Sequence, residues 1–204
     1  MRVTKRFAIA TCAVMSAWIV VGAPTSAQAD WLFTPSVGRT FGGDTFGRGH
    51  VTYGGAIARV DEESFGWEGE FSYSPDFFDN TESFQNARTG SVVALMGNAL
   101  IGAPMGPEGR FRPYVTGGLG LMRMRVVSDA GAFESVTSEF GFNVGAGALA
   151  LVGSRIGLRG DLRYLRSFQN QNPSWTRGIT IDVAPGNFDF WRASVGLTVV
   201  FPQQ

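Results

Sequence analysis

A strict alternation of apolar and polar residues constrains this chain more than any other feature of its sequence. In the first nine residues of IGLRGDLRYLRSF (156–168), Ile, Leu and Tyr occupy even-numbered positions, whereas every Arg and Asp occupies an odd-numbered one. Successive side chains of a β-strand point to opposite faces of its sheet. The segment therefore predicts a strand with one apolar face and one charged face, each in different surroundings.

Two architectures accommodate such a strand, and they place its charged face on opposite sides. A soluble sandwich exposes the charges to water, whereas a membrane barrel turns its apolar face to lipid and its charges to the lumen. Two further segments, 65–75 and 188–201, alternate in the same way, and aromatic residues stand near both ends of their apolar faces. Because aromatic girdles border the apolar band of a membrane barrel, we predict that the apolar face of these strands meets lipid. Parity here means the face on which the even- or odd-numbered residues of a strand lie.

Alternation and turn residues divide the rest of the chain into predicted strands of about ten residues. The eight strands cover residues 31–41, 51–60, 65–75, 91–101, 111–125, 140–151, 156–167 and 188–201. The connections 61–64, 102–110 and 152–155 are short, whereas 76–90, 126–139 and 168–187 are long. Short and long connections thus alternate, except that 42–50 is short where a long connection is expected. The predicted fold is all-β: an eight-stranded antiparallel up-and-down transmembrane β-barrel with turns at one end and loops at the other.

The N-terminal segment predicts export from the cytoplasm. Three cations within the first six residues precede an apolar run, and a small-x-small site follows at 27–29. This layout is typical of a secretory signal peptide that is cleaved before Asp30, and an uncleaved membrane anchor is the alternative. We assign residues 1–29 to a signal peptide and residues 30–204 to a single outer-membrane β-barrel domain.

Composition excludes several classes of function for the predicted mature chain. Residues 1–29 contain three of the 17 cations and none of the 17 anions, so the mature chain carries a net charge of about −3. It lacks the basic excess of nucleic-acid-binding proteins. The only histidine is His50, and the only cysteine, Cys12, lies in the signal segment, so clustered metal ligands are missing. We expect a monomer with no metal, no cofactor and no nucleic-acid partner.

Three segments carry a resemblance to a known family. RPYVTGGLGL (112–121), FGFNVGAGALALV (140–152) and IGLRGDLRYLRSF resemble strands of small eight-stranded outer-membrane barrels, the OmpA/OmpX-like porin-family β-barrel domain. The last strand resembles the family's assembly signal, with Phe201 as the terminal aromatic, although Pro202, Gln203 and Gln204 follow it. The resemblance implies a place in the bacterial outer membrane of the cell envelope. It also implies insertion by the barrel-assembly machinery and contact with outer-membrane lipid and lipopolysaccharide.

Parity assigns two sets of residues to the two faces of the predicted barrel. The lumen candidates are Glu68, Glu70, Arg159, Asp161, Arg163 and Arg192. They comprise three charges of each sign, and unpaired charge is costly to bury, so we expect a mutually neutralising network that fills the lumen. A narrow pore is the alternative. The outward aromatic girdle is predicted to comprise Trp31, Phe65, Trp67, Tyr73, Tyr164, Trp191 and Phe201.

Two further features concern contacts outside the barrel. Arg123 and Arg125 continue the outward parity of the fifth strand, where guanidinium groups can pair with lipopolysaccharide phosphates; a bulge would instead turn them inward. The long loops contain aromatic residues that can contact a partner or pack on the rim. These are Phe77, Phe78, Phe84 and Trp175. Because function in such scaffolds resides in loops, we expect a structural or surface-interaction role.

A lipid-modifying enzyme is the competing class, since small outer-membrane barrels include lipid A deacylases. Such catalysis needs a base beside a hydroxyl. Only His50 offers the base, with Thr52 on the same strand face and no serine at the matching place, so we expect no enzyme. GAGALA (145–150) has the glycine spacing of a dinucleotide fingerprint but lacks the following helix. We expect these small residues to thin the barrel wall or to mark bulges where backbones approach closely.

Overall fold

Eight β-strands and one 3₁₀ turn make up the part of the chain that the computed structural model describes. The described residues are 30–45, 49–61, 64–77, 87–106, 109–128, 134–168 and 188–202. The strands are β1 Asp30–Phe41, β2 Val51–Val60, β3 Phe65–Ser74, β4 Ala87–Gly102, β5 Phe111–Ser128, β6 Glu134–Leu151, β7 Ile156–Ser167 and β8 Asp189–Phe201. The 3₁₀ turn, Gly43–Thr45, follows β1. The predicted signal peptide and the loop aromatics Phe78, Phe84 and Trp175 lie outside the described residues.

The strands close into one barrel in sequence order, and each is antiparallel to its neighbours. The first and last strands form the seam, with Trp31 opposite Phe201 at one end and Phe41 opposite Trp191 at the other. A closed barrel pairs the backbone groups of its wall between strands and leaves no open sheet edge there. The predicted fold class is confirmed. None of the helices in the described ranges is long and apolar enough to cross a membrane.

The strands are staggered, and the pairing register gives the amount. Starting at Arg123 on β5 and following paired residues through β4, β3, β2, β1, β8, β7 and β6, the path returns to β5 at Pro113, ten residues away. Such a stagger requires strands tilted by about 35–45° from the barrel axis. At this tilt, a step of two residues along a strand rises about 5 Å along the membrane normal.

Side-chain burial follows the predicted parity. On β3, exposed and buried residues alternate without exception. Trp67 is 61% exposed, whereas its neighbour Glu68 is 3% exposed. On β8, Val195 points outward and is 65% exposed, while Arg192 and Thr198 are buried. The apolar face is the outer face and the charged face is the inner one, as the alternation predicts.

Three strands extend further than their alternation indicates. β4 begins at Ala87 rather than at 91, β5 ends at Ser128 rather than at 125, and β6 begins at Glu134 rather than at 140. Most of the predicted loop 126–139 is therefore strand. Beyond the apolar band both faces of a strand meet polar surroundings, so sequence alternation no longer marks the strand there.

Short turns with local hydrogen bonds define the periplasmic end. In the turn between β2 and β3, Asp61 Oδ1 accepts hydrogen bonds from the backbone N–H of Ser64 at 2.9 Å and of Phe65 at 2.8 Å. Between β6 and β7, the N–H of Val152 donates to the carbonyl of Ile156 at 2.9 Å. Short turns face the periplasm in outer-membrane barrels, which places the longer connections outside the cell.

Candidate functional site

Arg163 on β7 is the centre of the charge network inside the barrel. It is 1% exposed and its two terminal nitrogens contact three carboxylates. Nη2 lies 2.9 Å from Glu68 Oε1 and 2.8 Å from Asp161 Oδ1, and Nη1 lies 2.9 Å from Glu70 Oε2. The other oxygen of Glu70 pairs with Arg192 Nη2. The barrel wall thus brings together carboxylates from β3 and guanidinium groups from β7 and β8.

The same network continues toward the periplasm through Arg159. Its Nη1 lies 2.6 Å from Glu68 Oε2, and its Nε lies 3.0 Å from Asp161 Oδ2. Tyr114 donates its hydroxyl hydrogen bond to Asp161 Oδ1 at 2.6 Å, and the Arg159 guanidinium lies 4.9 Å from the centre of its ring. All six predicted lumen charges therefore belong to one connected network, with each carboxylate shared by two guanidinium groups.

Two asparagines extend this network around the inner wall, from β3 to β6. Asn143 Nδ2 on β6 donates to Asn98 Oδ1 at 2.7 Å, and Asn98 Nδ2 on β4 donates to Glu68 Oε1 at 2.9 Å. Both asparagines are buried. The sequence analysis selected charged residues and so missed these two and Tyr114. Parity could have found all three, because each lies on the inward face of its strand.

Two glycines of GAGALA make room for the network. A Cβ at Gly145 would lie 2.8 Å from Arg163 Cγ, and one at Gly147 would meet the ring and hydroxyl of Tyr114. Both glycines lie on β6, paired with the strand that carries Arg163. Close packing of large side chains against the wall, rather than a phosphate-binding turn, explains the small residues of this segment.

Apolar side chains line the lumen on both sides of the network. Toward the extracellular end a buried cluster consists of Phe77, Val92, Ala94, Met96, Met122, Leu165 and Phe190. Toward the periplasm a smaller one consists of Leu32, Ala58, Leu100, Leu149 and Val200. The lumen is thus layered, with charges in the middle and apolar groups at either end. The sequence analysis predicted the middle layer only.

Of the two expectations for the loop aromatics, contact with a partner or packing on the rim, Phe77 follows the second. Its side chain is fully buried, and its ring centre lies 5.3 Å from that of Phe190. The backbone N–H of Phe77 donates to the carbonyl of Gly90 at 2.7 Å, which draws the segment after β3 over the mouth of the barrel. Phe77 is buried because its apolar ring shields the apolar side chains at the extracellular end of the lumen from water.

His50 lies against this cover. Its ring stacks on Phe77 with 4.9 Å between centres and 25° between planes. Thr52, the hydroxyl that parity places on the same face, is bonded instead to Ser74 Oγ at 2.7 Å. The structure therefore does not place the candidate base beside the candidate hydroxyl.

The predicted girdle residues all point outward and form two belts. Trp31, Phe65, Trp67 and Phe201 lie at the periplasmic end, and Tyr73, Tyr164 and Trp191 lie at the extracellular end. Tyr164 and Trp191 face each other across β7 and β8 with ring centres 5.4 Å apart. Arg59 lies within the periplasmic belt, paired with Trp31 and Trp67, and its guanidinium is 5.9 Å from the centre of the Trp31 ring.

Arg123 and Arg125 point outward at the extracellular end of β5. Both side chains are exposed, and the register between β5 and β6 is continuous from Phe111 to Val127, without the bulge that would turn them inward. On the same face, Leu121 pairs with Phe140 at the edge of the apolar band. The two guanidinium groups thus begin about 5 Å beyond this edge, at the level of lipid head groups.

Comparisons with known proteins agree with this architecture. Residues 12–201 match the family model of the outer membrane protein beta-barrel domain. The structure is similar to that of Neisserial surface protein A, with a TM-score of 0.55, 10% identity, and coverage of 85% of this chain and 97% of that one. OprG from Pseudomonas aeruginosa gives a TM-score of 0.56 at 10% identity, covering 87% of this chain and 98% of OprG.

The N-terminal β-barrel domain of OprF from Pseudomonas aeruginosa is also similar. Its TM-score is 0.52 at 17% identity, with coverage of 86% of this chain and 100% of that domain. No curated protein matches the sequence significantly. At these identities the solved structures establish a shared fold, and the family model places the chain in the bacterial outer membrane.

Proposed function

Since the chain belongs to the outer membrane protein beta-barrel domain family, we propose that it is a non-enzymatic, non-conducting scaffold held among lipopolysaccharide molecules by Arg123 and Arg125. One observation carries this proposal: two exposed guanidinium groups stand on the outer wall just beyond the apolar band. The scaffold presents its extracellular loops for structural or surface contacts, and the protein is a monomer that reaches the membrane through the barrel-assembly machinery.

The chemistry at this edge fits phosphate. Arg123 and Arg125 are two residues apart on one strand, so their Cα atoms are separated by about 6.6 Å. Guanidinium forms paired, charge-assisted hydrogen bonds with phosphate oxygens, and lipid A in the outer leaflet carries phosphates at head-group level. The register partners on β4 and β6 are uncharged: Val93 and Ser138 for Arg123, and Ser91 and Val136 for Arg125.

A binding experiment with matched variants tests this anchor. The purified barrel in detergent is titrated with bis-phosphorylated lipid A, and bound lipid is counted by native mass spectrometry. The Arg123→Gln/Arg125→Gln double variant should bind at least about tenfold more weakly, because each lost charge-assisted bond contributes about 1.5–3 kcal/mol. Arg59→Gln removes one outward cation at the opposite rim and should bind like the unmodified protein. Equal binding by the double variant would contradict the anchor.

A second arm separates phosphate recognition from hydrophobic contact. Lipid A from which both phosphates have been removed should bind the unmodified barrel as weakly as it binds the double variant. If the dephosphorylated lipid binds as well as the phosphorylated one, the guanidinium groups are not the determinants and the proposal is wrong.

The non-enzymatic part of the proposal rests on the surroundings of His50. A general base must reach the proton that it removes. His50 stacks on Phe77, and the Thr52 hydroxyl is bonded to Ser74. Mass spectra of lipid A from cells producing the protein, its His50→Ala variant, or neither should be identical. A change in acylation that requires His50 would overturn this part.

The non-conducting part rests on the filling of the lumen. The charge network and the apolar cluster under Phe77 occupy the middle and upper barrel with buried side chains. An eight-stranded barrel has an interior just wide enough for its own side chains. Planar-bilayer recordings should show no discrete conductance steps, and reproducible steps would establish the narrow pore instead.

A further inference from the structure

We propose that the periplasmic end of the lumen is a binding site for the alkyl chain of a single-chain amphiphile with a carboxylate head group. A cavity of about 50 Å³ lies there among the inward side chains of β1, β2, β4 and β6 and the turns beneath them. It is separate from the lipopolysaccharide contact of Arg123 and Arg125, which lies on the outer wall at the other end of the barrel.

The wall of this cavity is apolar. Leu32, Ala58, Leu100 and Leu149 line it, and all four are buried within the barrel. These side chains face the lumen and not the lipid, so they form an apolar surface that the bilayer does not cover. Concave apolar surfaces of this kind with a few polar groups are the usual form of a small-molecule site.

The inner end of the cavity is closed by groups whose polar atoms are already bonded. Arg159 lines it and is held by Glu68 at 2.6 Å and Asp161 at 3.0 Å. Tyr114 also lines it, and its hydroxyl donates to Asp161 at 2.6 Å. A polar head group gains little at this end, whereas a chain terminus can pack against the Tyr114 ring. The chain therefore enters tail first from the periplasm.

The mouth of the cavity favours an anionic head group. Arg112, Asp61 and Ser64 line it. Asp61 Oδ1 accepts two backbone hydrogen bonds within its own turn, which offsets its charge locally. Arg112 Nε contacts the Gly109 carbonyl at 3.4 Å, and a guanidinium group binds carboxylate through two parallel hydrogen bonds. Arg112 thus supplies the cation that the head group meets.

The size of the cavity limits the chain that it takes. One water needs about 10–15 Å³ of such volume, so the cavity has room for a few heavy atoms beyond its mouth. Only the last few carbons of a medium-length chain therefore lie inside the cavity, and its first carbons lie at the rim. Each methylene that becomes buried raises the affinity about fourfold until the inner end is reached.

The test uses sodium octanoate as the probe and the complete barrel in lipid nanodiscs. Backbone amide shifts of Leu100 and Arg112 are followed by NMR during the titration. Ala58→Phe fills the cavity, and Ile57→Phe places the same side chain on the lipid face of the adjacent position. We expect saturable shifts in the unmodified protein and in Ile57→Phe, and at least tenfold weaker binding in Ala58→Phe.

The head group is tested with a neutral analogue. Arg112→Gln should weaken octanoate binding about tenfold and leave octanol binding unchanged. If octanoate causes shifts that rise without saturation, or equally in Ala58→Phe, it only partitions into the bilayer and the proposal is wrong. An Arg112→Gln variant with unchanged octanoate affinity also overturns it.

Folding of the cavity-filling variant is checked by its heat-dependent migration in SDS gels. If Ala58→Phe does not fold, Leu100→Trp fills the same cavity from β4 and carries the same expectation. These outcomes are independent of lipid A binding, so this proposal can fail while the lipopolysaccharide anchor stands.

Discussion

The two faces of β7 differ sharply in what their side chains contact. Leu162 points to the lipid and is 44% exposed, while the next residue, Arg163, points to the lumen and is 1% exposed. In a soluble protein the arginine would be the exposed residue. Burial alone therefore does not decide where a charged side chain is stable in this barrel. The hydrogen-bond and ion-pair partners available on each face decide it.

The lumen supplies partners that the lipid cannot. Arg163 contacts Glu68, Glu70 and Asp161, so its charge is compensated from β3 and from its own strand. Lipid tails offer neither counter-charge nor hydrogen-bond acceptor, and a charge at the bilayer midplane is destabilising in barrels. The same type of side chain is therefore stabilising on one face and destabilising on the other.

The largest expected effect comes from removing the charge at the centre of the network. Arg163→Leu should lower the free energy of unfolding by about 3–5 kcal/mol, because three carboxylates lose a shared buried partner. Urea unfolding in lipid vesicles, followed by tryptophan fluorescence, measures this change.

A second substitution distinguishes lost charge balance from lost packing. Arg163→Leu/Glu70→Gln restores equal numbers of positive and negative charges in the network and should recover part of the stability. If the double variant is as unstable as the sum of its single variants, the two residues are not coupled and the compensation argument is wrong.

The adjacent position provides the opposite test. Leu162→Arg places a charge on the lipid face about 5 Å inside the extracellular belt and should cost about 1–3 kcal/mol in the same assay, between the costs at the midplane and at the interface. Leu162→Met keeps an apolar side chain of similar volume there and should change stability by less than about 1.5 kcal/mol. A neutral effect of Leu162→Arg would show that this face does not meet the bilayer core.

The difference between the faces is also what the sequence predicts best. Parity alone placed Arg159, Asp161 and Arg163 in the lumen, because a two-residue period carries the identity of each face. The strands β2 and β7 begin and end where alternation begins and ends. Both predictions depend on local spacing, which the sequence contains.

Contacts between distant strands were not predictable in this way. Asn98 and Asn143 are 45 residues apart, and their hydrogen bond forms because the pairing register places them on either side of Gly118, on the two strands that flank β5. The burial of Phe77 likewise depends on apolar partners from four strands, β4, β5, β7 and β8, which are far apart in the sequence. Alternation indicates which face a residue occupies and not which residue it meets there.

The smallest expected effect concerns polarity in the lumen without charge. Thr34 on β1 and Thr198 on β8 are both buried, and their hydroxyl oxygens lie 2.9 Å apart across the seam. Thr34→Val leaves the Thr198 hydroxyl without this partner and should cost about 1–2 kcal/mol, and Thr198→Val should do the same to Thr34.

The double variant shows whether the lumen needs these hydroxyl groups, or whether a hydroxyl that is present needs only a hydrogen-bond partner. Thr34→Val/Thr198→Val removes both hydroxyls and keeps the shape of both side chains, so its stability should return to within about 0.5 kcal/mol of the unmodified protein. Urea unfolding of the four proteins in vesicles gives the coupling directly. Additive losses would mean that each hydroxyl matters by itself, and the contrast between the faces would then reflect polarity rather than pairing.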